Sequence, residues 1–136
     1  MSLVDDLNRA DNMKDVPWKN MDQSSVGAIA EKASWAVSKL WPADSLSRIT
    51  GSVSDFKIVN GTWYFTLEDD SQPENTRASI RVFMYPSDCA GAGFIPSNGD
   101  LVAIQGQPSF LIRKCSLELR AVKMSRIGLS EIEAGL

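Results

Sequence analysis

The chain contains no histidine. That removes the usual general base, the usual activator of a serine or cysteine nucleophile, and every zinc site that needs an imidazole. Cysteine is scarce: Cys89 and Cys115 alone, with no CxxC spacing. Sparse, unpaired cysteines suit a reducing compartment, and without a histidine neither thiol has the partner that activates a nucleophile. No apolar run approaches the ~20 residues of a membrane span. No apolar secretory segment is visible at the N-terminus. The expectation is a cytoplasmic protein without a membrane association. An excess of positive charge is also missing. Fourteen basic residues stand against 17 acidic ones, a net charge of −3, so any binding of nucleic acid needs a local basic face rather than a global one.

What is present is ordinary globular material. Hydrophobic residues make up 43% of 136 residues and charged ones 23%, enough for one domain with its own core. Residues 1–23 are polar and read as a mostly irregular arm. Val26, Ile29, Ala30, Ala33, Val37 and Leu40 then recur at three- and four-residue spacing, which predicts an amphipathic helix over about 25–39, within a 24–42 segment. Ser24 or Ser25 can cap its start, and Pro42 ends it.

From Leu46 the period becomes two. Ile49, Gly51 and Val53 alternate with Arg48, Thr50, Ser52 and Ser54. Asn60-Gly61 is a strong hairpin signal. It leads into a strand with Trp63, Phe65 and Leu67 on one face and Tyr64, Thr66 and Glu68 on the other. The next strand sets Ala78, Ile80, Val82 and Met84 against Ser79, Arg81, Phe83 and Tyr85. A loop or short helix around 87–93 precedes a fourth strand at "GDLVAIQGQ". A fifth, at "CSLELRAVKM", sets Cys115, Leu117, Leu119 and Ala121 on one side. Five short strands broken after the third predict a mainly β protein: a five-stranded Greek-key barrel of the OB type over 45–126. Gly51 lies where a long first strand must bend. After Gly128, "LSEIEAGL" opens a helical pattern, and 128–136 is expected to be the start of a helix leading into a further domain.

OB domains hold single strands by stacking bases on exposed aromatics and tracking phosphates with basic residues. On this parity the candidate nucleic-acid contacts are Tyr64, Thr66, Arg81 and Phe83, joined by Arg48 and Thr50 of the first strand. Arg113 and Lys114 fall in the strand 4–5 loop. Phe83 stands out because a phenylalanine on a solvent face requires a reason. No cofactor or metal is expected. Glu68, Asp69, Asp70 and Glu74 flank a turn, where acidic side chains serve local bonding, and "CAGAGF" lacks the GK[ST] of a phosphate-cradling loop.

"NGTWYFTLEDD", "ASIRVFMY", "NGDLVAIQGQPSF" and the closing "SRIGLSEIEAGL", with Pro17-Trp18 ahead of the helix, resemble the N-terminal region of exodeoxyribonuclease VII large subunits. The strand 4–5 tip, "PSFLIRKCS", departs from that pattern in lacking its glycine turn. The resemblance implies a parent enzyme that degrades single-stranded DNA from both ends into oligonucleotides, in complex with a small subunit. It also implies that this domain binds the strand and has no catalytic residue of its own. The alternative is a docking domain that packs on the nuclease domain or the small subunits.

Overall fold

In the computed structural model, residues 24–128 are described; the predicted arm at 1–23 and the closing 129–136 lie outside them. A helix, α1 (Val26–Leu40), precedes β1 (Ser47–Val59), β2 (Thr62–Glu68), β3 (Ser79–Met84), the one-turn helix α2 (Pro86–Cys89), β4 (Leu101–Leu111) and β5 (Ser116–Arg126). The strands close in the order β1-β2-β3-β5-β4 and back to β1. All pairs are antiparallel except β3 with β5. This is the predicted five-stranded barrel with an N-terminal helix.

The two-residue turn at Asn60-Gly61 has φ of 51° and 83°, the pair of positive angles a tight hairpin demands and that Asn-Gly tolerates. β1 serves both sides of the barrel. Its first half pairs with β4 and its second with β2. Gly51, where the two halves meet, lies so close to β2 that a Cβ there would stand 2.5 Å from the Glu68 carbonyl oxygen. The barrel interior is filled by Val53, Trp63, Phe65, Leu67, Val82, Met84, Val102, Ile104, Leu119, Ala121 and Met124, the alternating positions predicted for β2 and β3. Phe56 packs on this core with its ring edge-on to Trp63, centroids 5.7 Å apart.

Two bulges break strict alternation. Ser54 pairs with Thr66 and Lys57 with Tyr64, so Asp55 and Phe56 together oppose Phe65. Asp55 takes φ 52° to do so. Beyond it Phe56 turns inward and Lys57 outward. On β5, Val122 is the extra residue between the pairs Gly106–Ala121 and Gln105–Lys123. The inward sequence then resumes at Met124. Leu117, predicted with the inward set, is 42% exposed.

Ser25 caps α1 by accepting the Ala28 N–H at 3.0 Å. The helix packs on β4, and its C-terminus is tied down by Gln107 Nε2, which donates to the carbonyls of Trp41 (3.2 Å) and Pro42 (2.7 Å). The predicted apolar stripe is only partly buried. Ala30 is buried and Ala33 and Val37 half-buried, while Val26, Ile29 and Leu40 face outward. The reason is geometric: the stripe is wider than the strip of helix that one strand can cover.

Candidate nucleic-acid interface

The outer face of β2 and β3 gathers part of the predicted set. Tyr64 sits opposite Phe83 and Thr66 opposite Arg81. The Arg81 guanidinium donates from Nη1 to Thr66 Oγ1 at 2.9 Å, which fixes its plane. Tyr64, Arg81 and Lys114 line one shallow hollow, about 260 Å³, with Lys57 and Val59. Lys114 reaches it from the turn between β4 and β5. Its Nζ lies 3.7 Å from Glu118 Oε2, and that carboxylate also accepts from Ser116 Oγ at 3.0 Å. Three cations line the hollow and only Lys114 among them is ion-paired to a described residue, which leaves the hollow positive beside a half-buried aromatic ring. Chemically this is a place for a flat ring on Tyr64 and phosphate oxygens on Arg81, Lys57 and Lys114.

Phe83 corrects the prediction. It is buried, 9% exposed, although it does lie on the outer face. Tyr64 on β2 and Arg120 on β5 stand opposite it on either side, and Tyr85 meets its ring edge-on at 5.5 Å. Arg120 in turn stacks over Tyr85, 5.0 Å from the ring centroid. On the central strand of three, a ring flanked by large neighbours is covered by them. Phe83 therefore backs the face and offers no free ring for a base.

The remaining candidates lie elsewhere. Arg48 and Thr50 line a second hollow together with Glu68 and Asp69, at the acidic end of the face. There Ser54 and Ser52 donate to Glu68 and Asp70 at 3.3 and 2.7 Å. Arg113 is exposed in the β4–β5 turn and does not line the Tyr64 hollow. That turn lacks glycine, yet its tight geometry survives because Cys115 itself adopts φ 52°. Asp69 accepts from the hydroxyl and backbone N–H of Ser71 at 2.6 and 3.0 Å. Those bonds hold its carboxyl below the usual range. The stability they add is present above the ordinary carboxylate pKa and is lost as pH falls through the lowered one.

Lys57 was not among the predicted residues. Strict alternation from Val53 would have put Asp55 and Lys57 in the core and Phe56 outside. Two charges at inward positions were the signal for the bulge.

Cys89 donates from Sγ to the Met84 carbonyl at 3.2 Å, and burial pushes its thiol up. Cys115 is exposed. Iodoacetamide at mildly alkaline pH is expected to modify Cys115 well before Cys89, read by mass spectrometry of digested protein. Equal rates would show that the α2 segment does not shield Cys89.

A closed five-stranded barrel with aromatic and basic residues on the β2–β3 face defines an OB-fold domain, and residues 25–125 match the family model described as an OB-fold nucleic acid binding domain. The chain belongs to that family. It is also similar to the exodeoxyribonuclease 7 large subunit of Bordetella pertussis, 31% identical over 109 residues, covering 79% of this chain and 20% of the relative. The large subunit of Clostridium novyi is 30% identical over 87 residues, 63% of this chain and 20% of the relative. The chain thus spans about one fifth of the length of these relatives. Among solved structures, a mitochondrial single-stranded DNA binding protein of S. cerevisiae aligns with a TM-score of 0.46 at 13% identity, over 61% of this chain and 93% of its own.

Proposed function

We propose that this domain is the single-stranded-DNA-binding OB domain of an exodeoxyribonuclease VII large subunit. It would present the strand to a nuclease domain carried elsewhere in the parent protein. The observation that carries this reading is Tyr64 set among Lys57, Arg81 and Lys114 on the β2–β3 face. The parent would hydrolyse phosphodiester bonds of single-stranded DNA from both ends in the bacterial cytoplasm, assembled with the small subunit. The domain alone would be inactive.

Anisotropy of a labelled oligo-dT at low salt tests the binding. Affinity is expected to fall as salt rises, because neutralised phosphates release counterions. Tyr64→Ala is expected to weaken binding about 5- to 150-fold, the loss of one stacked base at ~1–3 kcal/mol. Arg81→Ala is expected to weaken it and reduce the salt slope by about 0.7, one phosphate's share on a single strand. No binding at low salt would end the DNA-contact reading.

A docking role has its own support in the exposed Val26, Ile29 and Leu40 of α1, an apolar shoulder suited to packing on another protein surface. Capture of the small subunit by this domain, with oligo-dT ignored, would favour that role instead.

A further inference from the structure

A larger cavity, about 530 Å³, opens away from the Tyr64 hollow. It shares no lining residue with that hollow, and its size falls within the ~300–1,000 Å³ typical of small-molecule sites. On one side stands a row of three side chains crossing three strands. Arg48 of β1 is directly opposite Gln105 of β4, and Gln105 is directly opposite Lys123 of β5. With strands ~4.8 Å apart, the two cations flank the amide at a separation of about 10 Å. All three side chains are exposed. Neither Arg48 nor Lys123 forms an ion pair with a described residue. A phosphate on the Gln105 amide would sit within reach of both long side chains, the geometry in which two like charges become favourable.

The same cavity is lined by Asp88 of α2, by Ala103 and by the bulged Val122. Asp88 is ion-paired to Arg120 through the buried Oδ2, 4.0 Å from Nη2, while 26% of its side chain stays exposed. The exposed part of that carboxylate is free to accept a hydrogen bond from a donor in the cavity.

We propose that this cavity binds one nucleoside monophosphate unit. Its phosphate lies on the Arg48–Gln105–Lys123 row. Its base lies over Ala103 and Val122 and donates an exocyclic N–H to Asp88. The unit is either a free nucleotide or the 5′-phosphorylated end of a strand. This site shares no lining residue with the Tyr64 hollow, and the proposal does not rest on that hollow binding DNA.

The test is a titration of the 15N-labelled full chain by NMR, with adenosine 5′-monophosphate, adenosine and inorganic phosphate as separate probes. The Gln105 side-chain amide and the Lys123 backbone are expected to shift with the nucleotide, at least tenfold tighter than with phosphate or adenosine alone. Lys123→Gln is expected to weaken nucleotide binding about fivefold or more. Asp88→Ala, checked for an unchanged melting curve, is expected to bring the nucleotide down towards phosphate. Tyr64→Ala is expected to leave nucleotide binding where it was. A dT oligomer with a 5′-phosphate that moves the same signals, while its unphosphorylated twin does not, identifies a strand end as the source. Response to the free nucleotide alone identifies that instead. Phosphate binding as tightly as nucleotide would mean an adventitious ion only and would overturn the proposal. So would nucleotide shifts confined to Tyr64 and Arg81, or no shifts at millimolar nucleotide.

Discussion

Phe65→Ala is expected to cost the barrel about 3–5 kcal/mol, the range for removing a fully buried phenylalanine from a packed core. Among the described residues, Phe65 is the largest side chain with no exposed surface at all. It lies on β2 between Trp63 and Leu67, which also point inward, and its ring centroid is 6.2 Å from that of Phe56. Strands on both sides bring Val53, Val82 and Met84 into the same cluster. None of these can move into the vacated space without shifting a strand whose hydrogen bonds fix its register, so most of the cavity stays open. Since domains of this size are stable by only about 5–15 kcal/mol, the variant loses a large share of its margin and should unfold at markedly lower urea. Urea denaturation of the variant beside the unaltered chain measures the difference. A loss below about 1 kcal/mol would mean that Phe65 is not at the centre of the core.

Gly51→Ala is expected to cost about 3 kcal/mol, at the upper end for overpacking. The added methyl would meet the Glu68 carbonyl oxygen at 2.5 Å and Leu67 Cγ at 2.9 Å. The first of these is backbone held in the β1–β2 ladder, so it cannot rotate away as a flexible side chain would. β1 would have to lift off β2 at the point where the barrel turns its corner. Gly27→Ala supplies the contrast. Gly27 is exposed in the first turn of α1, and the nearest atom to an added Cβ is Ser25 Oγ at 3.9 Å. There the same change removes a residue of poor helix propensity and should stabilise by up to about 0.5–1 kcal/mol. Chemical denaturation of the two variants side by side should give shifts of opposite sign. Equal, small shifts would contradict the close approach at Gly51.

The barrel was legible because its signals are local and repeated. Period-two alternation in β2 and β3, Asn60-Gly61 at the hairpin, and a glycine in the middle of β1 each have one structural solution. The face that carries Tyr64, Thr66 and Arg81 followed from the same parity. What could not be read were events set by neighbours in space. Phe83 is polar-side by parity but buried, because β3 lies between β2 and β5 and receives large side chains from both. Lys57 joined the face only through the Asp55 bulge, which one residue of slip conceals. Arg48 and Thr50 share that face's parity on β1, but the coiling of the strand carries them to the acidic end near Glu68 and Asp69. The width of the α1 stripe said that the helix packs, without saying how much of it one strand could cover. The glycine missing from the β4–β5 turn left the fold intact, because Cys115 takes the left-handed conformation at a modest local cost.

The β2–β3 face as the single-strand platform is tested most directly by mapping oligo-dT onto the 15N-labelled chain by NMR at low salt. The strongest shifts are expected on Lys57, Tyr64, Arg81 and Lys114, weakening together as salt is raised and leaving the exposed α1 residues Ile29 and Leu40 unmoved. Shifts centred on α1, or on Glu68, Asp69 and Arg48 with Tyr64 unmoved, would contradict that platform.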